Sequence, residues 1–193
     1  MAVTDTLDAE RARLFALLGR LLGAAPDDGL LAQLRLLPRS GGELGEVYAA
    51  LATAAGATDA EAAEREYFAL FVGVGRGELL PYASYYLTGF LHERPLADLR
   101  GDLGRLGIEK AAGVPEPEDH IAFLCEVMAG LMAGAFAAEP EEAGHFFARH
   151  IRGWAARLFA DLEKAEAARF YRAVGRLGRT AMEIETAAAD LPA

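Results

Sequence analysis

The residues EPEDH at positions 116–120, followed by the apolar run IAFLCEVMAGLMAGAF at positions 121–136, predict the fold of this chain. Pro117 suits the first position of a helix, where its missing N–H costs nothing, and Glu118 and Asp119 add carboxylates near the exposed N–H groups of a first turn. Apolar residues then recur at steps of three and four on two neighbouring sides of the helix. We therefore predict a helix that begins near Pro117, lies in the core and has its polar end where the core meets solvent.

The rest of the chain repeats this helical periodicity and shows almost no strand-like alternation. Glycine and proline clusters separate the periodic segments. Thr58 followed by Glu61 has the spacing of a capping box, which predicts the start of another helix. We predict roughly nine or ten helices and no confident strand. The expected fold is all-α, a compact helical bundle that forms a single domain over residues 1–193.

Composition and charge exclude several classes of protein. A chain that is 53% hydrophobic and 9% aromatic is not disordered. Its net charge of −10 argues against nucleic acid as a partner and favours a cationic one, although solubility alone also explains such a charge. Cys125 is the single cysteine, so no disulfide framework is expected. The N-terminus lacks the features of a secretory signal and no uninterrupted apolar run reaches membrane-spanning length, which predicts a cytoplasmic protein without membrane insertion.

Catalytic and metal sites are poorly supported by the residue spacing. Glu116, Asp119 and His120 could share a helix face, but they are only part of a metal-ligand set. Neighbouring residues on a helix point about 100° apart, so Asp119 cannot readily orient the His120 imidazole for acid–base catalysis. Ser84 lacks the glycines of a nucleophile elbow. The other histidines show none of the spacings typical of metal-binding helices: His92, His145 and His150. We predict a protein that is not an enzyme, with no metal and no cofactor.

The glycine-rich stretch Gly73–Gly77 predicts a flexible connection between two helices. It lacks the Lys-Ser or Lys-Thr pair, the glycine spacing and the preceding strand of a phosphate-binding loop. A nucleotide-responsive protein that uses this loop is kept as an alternative, which a shift of the melting temperature by GTP or ATP would reveal.

A peptide-binding groove accounts better for the residues on either side of this loop. Apolar and aromatic residues lie there next to the acidic stretch at positions 116–120, although each aromatic residue alone is more often part of a core. A groove of this composition suits a peptide that carries both positive charge and apolar residues. The apolar and aromatic residues concerned are Tyr67, Leu70, Phe71, Pro81, Tyr82, Tyr85 and Tyr86.

At these positions the sequence resembles the TorD/DmsD/NarJ family of cytoplasmic chaperones for molybdoenzyme maturation. Three motifs occur in the order and approximate spacing of that family: Glu64-x-x-Tyr67-x-x-Leu70-Phe71-x-Gly73, Leu80-Pro81-Tyr82-x-Ser84-x-Tyr86, and Glu116-Pro117-Glu118-Asp119-His120. The resemblance continues through His150-Ile151-x-x-Trp154 and Phe170-Tyr171. Two residues depart from the family pattern: Tyr67 replaces its first tryptophan and Leu80 replaces a proline.

The resemblance implies an all-helical chaperone that binds the twin-arginine signal peptide, or the apo form, of a molybdopterin oxidoreductase subunit. It would hold this client until the cofactor is inserted and before export. The alternative within the family is a NarJ-like assembly chaperone whose client is never exported. The client stays open among formate dehydrogenase, dimethyl sulfoxide reductase and trimethylamine oxide reductase subunits. The residues that would bind the peptide are Tyr67, Leu70, Phe71, Pro81, Tyr82, Ser84, Tyr86, Glu116, Asp119 and His120.

Two tests of this site follow from the sequence. We expect Asp119→Ala to weaken client binding without unfolding the protein; a joint loss of stability and affinity would instead identify Asp119 as a helix cap. We expect binding to change between about pH 5.5 and 7.5 if the charge of His120 matters. The oligomeric state stays open between a monomer and a dimer swapped through Gly73–Gly77 or Gly107–Pro115.

Overall fold

The computed structural model describes residues 2–38 and 41–190. Over these residues the chain forms ten α-helices and one π-helical segment, and its β structure is confined to one isolated bridge. The predicted all-α class and helix number are therefore confirmed. The helices are α1 (Ala2–Gly23), α2 (Asp28–Arg35), α3 (Glu43–Gly56), α4 (Ala60–Tyr67), the π segment (Phe68–Val72), α5 (Ala83–Thr88), α6 (Arg94–Leu106), α7 (Ile121–Met132), α8 (Glu142–His150), α9 (Ala155–Lys164) and α10 (Phe170–Ala189).

The helices fall into two compact units. Unit 1 takes its described residues from Met1–Gly23, Pro81–Ala155 and Glu185–Ala193. Unit 2 takes its residues from Ala24–Leu80 and Ala156–Ile184. A single domain over residues 1–193 stays a prediction.

Unit 1 is built around α1 and α7, which pack along each other. Most of the predicted apolar positions of α7 are buried, among them Ile121, Leu124, Val127 and Met128, whereas Phe123 and Leu131 are half-buried. The end of α10 is joined to α1 by a bidentate ion pair, in which Arg11 donates to both carboxylate oxygens of Glu185 at 2.8 and 2.5 Å. The predicted start of α7 is wrong, because the helix begins at Ile121 and residues 116–120 form the turn before it.

Unit 2 contains the packed pair α2 and α3, and also α4, the π segment and most of α9 and α10. Its helices approach closely where Gly178 of α10 faces Phe159 of α9, because a Cβ atom on Gly178 would lie 2.2 Å from the Phe159 ring. The predicted helix after Thr58 is present as α4, but its cap is Asp59, whose carboxylate accepts from the N–H of Ala62 at 2.8 Å. None of the described helices combines the length and the apolar character that a bilayer span requires.

Candidate functional site

The turn at residues 116–120 is joined to the start of α5 by a short antiparallel bridge. The N–H of Ile121 donates to the carbonyl of Pro81 at 2.9 Å, and the N–H of Ala83 donates to the carbonyl of Asp119 at 3.0 Å. Tyr82 and His120 are the paired residues of the bridge. Two of the motifs that the sequence analysis singled out are therefore in direct contact in unit 1.

Asp119 caps α5 rather than the helix that follows it. Its Oδ2 atom accepts from the N–H of Ser84 at 2.9 Å, in the first turn of α5. Both residues are fully buried, and neither Asp119 Oδ1 nor Ser84 Oγ has a hydrogen-bond partner among the described residues. The prediction that the Asp119 carboxylate serves the first turn of its own helix is wrong, because the N–H group that it reaches lies in another helix.

His120 caps α7 through its side chain. Its Nδ1 atom accepts from the N–H of Ala122 at 3.1 Å, which requires an unprotonated Nδ1. Only 6% of His120 is exposed, and this burial lowers the pKa of the imidazole to about 4, although the carboxylates of Glu116 and Asp119 act in the opposite direction. The predicted window between about pH 5.5 and 7.5 for a charge change at His120 therefore moves to lower pH.

We expect the buried His120 to make the protein lose stability in mild acid. The unfolded chain binds a proton at this imidazole below about pH 6.5, whereas the folded protein binds it only near pH 4, so the stabilising contribution is complete above pH 6.5 and is lost as the pH falls. His120→Asn keeps an acceptor for the Ala122 N–H but does not titrate. Between pH 7 and pH 5, the free energy of unfolding of the wild type should fall by about 2 kcal/mol more than that of His120→Asn.

Urea unfolding at the two pH values measures this difference. The matched control is His145→Asn, since His145 is exposed. This variant should keep the pH dependence of the wild type. If the free energy of unfolding depends on pH equally in the wild type and in His120→Asn, the lowered pKa of the buried His120 is contradicted.

Tyr82 and the two glutamates of the turn lie along one edge of the bridge, where Glu116 is exposed and Tyr82 and Glu118 are half-buried. The Tyr82 ring lies edge-on to the His120 ring at a centroid distance of 5.1 Å, and its hydroxyl donates to the carboxylate of Glu116. Glu118 accepts from Arg100 at 2.7 Å. Burial acts to raise the pKa of the Glu118 carboxyl, but the hydrogen bonds from Arg100 and from its own backbone, together with nearby positive charge, lower it overall. Glu116 is therefore an exposed acidic group next to an aromatic ring, whereas Glu118 is engaged by an arginine.

Tyr86, one turn further along α5, lies in an aromatic contact. Its ring is 5.6 Å from that of Trp154, and the Trp154 indole N–H donates to the carbonyl of His150 at 2.7 Å. Trp154 is buried and Tyr86 is half-buried. Unit 1 thus brings seven of the predicted site residues close to the bridge: Pro81, Tyr82, Ser84, Tyr86, Glu116, Asp119 and His120.

The other three predicted residues belong to unit 2, where two of them pack on α10. Tyr67 and Phe71 have ring centroids 5.9 and 5.5 Å from that of the buried Tyr171. Leu70 is fully buried, as Asp119 and Ser84 are in unit 1. The contribution of all ten residues to peptide binding stays a prediction.

The glycine-rich loop that follows the π segment is held at both ends by backbone hydrogen bonds, and its flexibility stays a prediction. The N–H of Gly73 donates to the carbonyl of Phe68 at 2.7 Å, and the N–H groups of Glu78 and Leu79 donate to the carbonyls of Ala69 and Leu70 at 3.1 and 2.8 Å. Gly73 has φ 63°, and a Cβ atom there would lie 2.0 Å from the carbonyl oxygen of Arg76. The chain therefore folds back on the π segment through a turn that only glycine can form.

Glu66 is a structural residue that the sequence analysis missed. Its carboxylate accepts from the N–H groups of Arg169, Phe170 and Tyr171 at 2.7, 3.0 and 2.7 Å, which are the first donors of α10. A carboxylate at a helix N-terminus is the expected stabilising group. The sequence signal is weak, since Glu66 and its partners are more than a hundred residues apart.

Metal binding receives no support from the described part of the chain, where no group of three or more histidine, cysteine, aspartate or glutamate residues could hold an ion.

Fold and sequence comparisons assign the chain to a known class. The structure is similar to a crystal structure from Archaeoglobus fulgidus described as a redox enzyme maturation protein, with a TM-score of 0.54 and 20% sequence identity over 90% of this chain and 93% of that chain. It therefore has the all-helical fold of that class of protein. The sequence profile of the family described as nitrate reductase delta subunit matches residues 38–160. The chain belongs to this family, the TorD/NarJ family.

Curated relatives in the family are named chaperone protein TorD. The relative from Vibrio cholerae serotype O1 is 29% identical over 117 residues, which are 56% of this chain and 53% of the relative. The relative from Aliivibrio salmonicida is 30% identical over 125 residues, which are 60% of this chain and 58% of the relative. The chain thus spans about half the length of the curated relatives that it matches.

Proposed function

We propose that this protein is a cytoplasmic chaperone, without enzymatic activity, for the maturation of a molybdopterin oxidoreductase. Its client is the twin-arginine signal peptide, or the apo form, of the catalytic subunit, which it holds until the cofactor is inserted and before export. The observation that carries the proposal is the bridge in unit 1, where the motifs around Tyr82 and His120 meet beside the exposed carboxylate of Glu116. Family membership and the chaperone relatives support it.

The chemistry of this edge suits an arginine-bearing peptide. A guanidinium group forms its strongest hydrogen bonds with carboxylates, and it also stacks on aromatic rings. Tyr82 and Glu116 offer both kinds of partner within one contact. The net charge of −10 favours the approach of a cationic segment, an effect that salt weakens.

Calorimetric titration with a twin-arginine leader peptide tests the proposal. We expect micromolar or tighter binding, and roughly tenfold to hundredfold weaker binding of a control peptide in which both arginines are glutamine. Glu116→Gln should weaken binding of the arginine peptide only. The matched control is Glu109→Gln, which removes the charge of another exposed glutamate of unit 1 and should leave binding unchanged.

Equal affinity for both peptides would contradict arginine recognition at Glu116. Absence of binding to either peptide, together with binding to the apo catalytic subunit, would favour the second candidate function. That candidate is a NarJ-like assembly chaperone of an enzyme that is not exported, and the description of the matched family as nitrate reductase delta subunit favours it.

Domain swapping through Gly73–Gly77 or Gly107–Pro115 stays a prediction.

A further inference from the structure

The end of α5 and the turn after it expose three apolar side chains of unit 1. The exposed fractions of Leu87, Phe90 and Leu91 are 49%, 69% and 39%. Leu87 lies in the last turn of α5, and the other two residues follow Gly89, which ends this helix with φ 85°. Exposed apolar side chains grouped in this way usually mark a binding surface. We call these three residues the Leu87 surface.

Local hydrogen bonds hold the Leu87 surface in place. The N–H of Gly89 donates to the carbonyl of Tyr85 at 2.8 Å. The Thr88 hydroxyl donates to the carbonyl of Ser84 at 2.8 Å and accepts from the N–H of Phe90 at 3.2 Å. A surface that is already ordered loses little conformational entropy when a ligand docks on it.

A cavity of about 130 Å³ lies beside Leu87. Its apolar lining residues come from α5 and α6, and they are Ala83, Leu87, Pro95 and Leu99. An apolar cavity of about 150 Å³ is large enough for a benzene molecule. The cavity beside Leu87 therefore has room for the end of a leucine or phenylalanine side chain.

Each charged residue that lines this cavity is paired with another residue of unit 1. Asp98 lies 3.7 Å from Arg94, and Arg149 and His150 contact the Asp102 carboxylate at 3.0 and 2.8 Å. Burial lowers the pKa of the His150 imidazole, although Asp102 acts in the opposite direction, so this ring is neutral near pH 7. The cavity therefore suits an apolar side chain better than an ion.

The Leu87 surface and the exposed carboxylate of Glu116 lie at opposite ends of α5. Glu116 accepts from Tyr82, the residue before α5, whereas Leu87 lies in the last turn of this helix. Six helical residues rise about 9 Å, which an extended peptide covers in about three residues. A leader peptide whose arginine contacts Glu116 can therefore place the apolar residues that follow it at the Leu87 surface.

The contacts of Glu116 leave its negative charge for such an arginine. Its carboxylate accepts from the neutral Tyr82 hydroxyl, and Lys110 donates to its backbone carbonyl. A guanidinium group pairs with a carboxylate through two parallel hydrogen bonds where both oxygens can be reached. A second copy of this chain is a poorer occupant of the same surface, because two molecules with a net charge of −10 repel each other.

We propose that the Leu87 surface, with the cavity beside it, anchors the apolar stretch of the client's signal peptide while an arginine of the same peptide contacts Glu116. This inference rests on the proposed function and extends it to residues that the sequence analysis did not single out. One apolar side chain of the peptide enters the cavity, and its neighbours pack on Phe90 and Leu91. Arginines followed by apolar residues in the leader thus match a carboxylate followed by apolar side chains along α5.

The test combines Leu87→Ser with Phe90→Ser in one variant and compares it with Leu7→Ser. Leu7 is 55% exposed in α1 of the same unit. Each protein is titrated with the complete leader peptide and with a leader whose apolar stretch is replaced by serines. The double variant should bind the complete leader at least roughly tenfold more weakly than the wild type, since two apolar contacts are lost. The serine leader should bind equally weakly to both proteins, and Leu7→Ser should bind both peptides as the wild type does.

Phe90→Ser alone keeps the test valid if the loss of Leu87 lowers the stability of the protein. Phe90 is the most exposed of the three residues, so its replacement should leave the melting temperature unchanged. The affinity of this variant for the complete leader should still fall roughly threefold or more. Both variants should also keep the weaker binding of the control peptide in which both arginines are glutamine.

The outcomes separate this inference from the proposed function. If the double variant and Phe90→Ser bind the complete leader as tightly as the wild type does, the proposed function stands and the Leu87 surface is overturned as the anchor. If the wild type does not bind the leader, leader binding fails as a function and the inference fails with it. Light scattering gives a third outcome: a wild-type dimer that the double substitution dissociates, with leader binding unchanged, would show that a second copy of the chain covers the Leu87 surface and would overturn the inference.

Discussion

Replacement of Glu66 with alanine is expected to lower the free energy of unfolding by about 3 to 4 kcal/mol, because one carboxylate accepts from three N–H groups at the start of α10, those of Arg169, Phe170 and Tyr171. A single hydrogen bond to a charged group contributes about 1.5 to 3 kcal/mol, and the three bonds to Glu66 share one charge, so their contributions do not add fully. The favourable position of a carboxylate at a helix N-terminus is lost as well.

Urea unfolding of two further variants sets the scale for this effect. Glu64→Ala removes an exposed glutamate two residues earlier and should change the free energy of unfolding by less than about 0.5 kcal/mol. Glu66→Gln keeps one acceptor oxygen but turns an NH₂ group toward the remaining donors. Its loss in free energy of unfolding should therefore lie between the losses of Glu64→Ala and Glu66→Ala. An effect of Glu66→Ala no larger than that of Glu64→Ala would show that the capping bonds do not stabilise α10.

Replacement of Asp119 with alanine should lower the free energy of unfolding by about 3 kcal/mol. The loss has two parts: the cap of α5 disappears, and the N–H of Ser84 is left buried without its acceptor. This expectation differs from the sequence-based one, in which Asp119→Ala weakens client binding alone. A lower affinity of Asp119→Ala would therefore say little about contact with a client, because the bridge between Tyr82 and His120 would be disturbed at the same time.

Asp119→Asn separates the two roles of this residue. The asparagine oxygen can still accept from the Ser84 N–H, so most of the stability should remain, whereas the negative charge is removed. Thermal unfolding measures the stability of Asp119→Asn and Asp119→Ala, and titration with the leader peptide measures their affinity for the client. Weak binding by a stable Asp119→Asn protein would assign the charge to client recognition, and normal binding would leave Asp119 as a cap. Equal stability of the wild type and Asp119→Ala would contradict the capping role itself.

Sequence reasoning predicted the helices well and their connections less well. Periodicity reports which side of a helix is buried, so most buried positions of α7 were predicted correctly even though its first residue was not. Capping by Asp119 could not be predicted, because its partner Ser84 lies 35 residues away and sequence spacing reports only neighbours. At the start of α4 two neighbouring residues could provide the cap. Asp59 provides it instead of the predicted Thr58, because the Asp59 carboxylate reaches the Ala62 N–H.

The candidate site shows the same limit. The motif residues of unit 1 were identified from the sequence, but the solvent exposure of each was not predicted. Asp119 and Ser84 are fully buried. In the π segment the apolar letters alone do not say which side faces solvent. The position of Tyr171 decides it, since Tyr67 and Phe71 pack against that ring and Phe68 is left outside.

The cap that Asp119 provides also constrains the order in which unit 1 can fold. With six residues, α5 is too short to form on its own, because helix nucleation costs more than so few hydrogen bonds return. The cap of α5 arrives only when a loop of 35 residues has closed, whereas the cap of α7 by His120 is local. We therefore expect α5 to form only with closure of this loop, together with the contact between Tyr82 and Glu116.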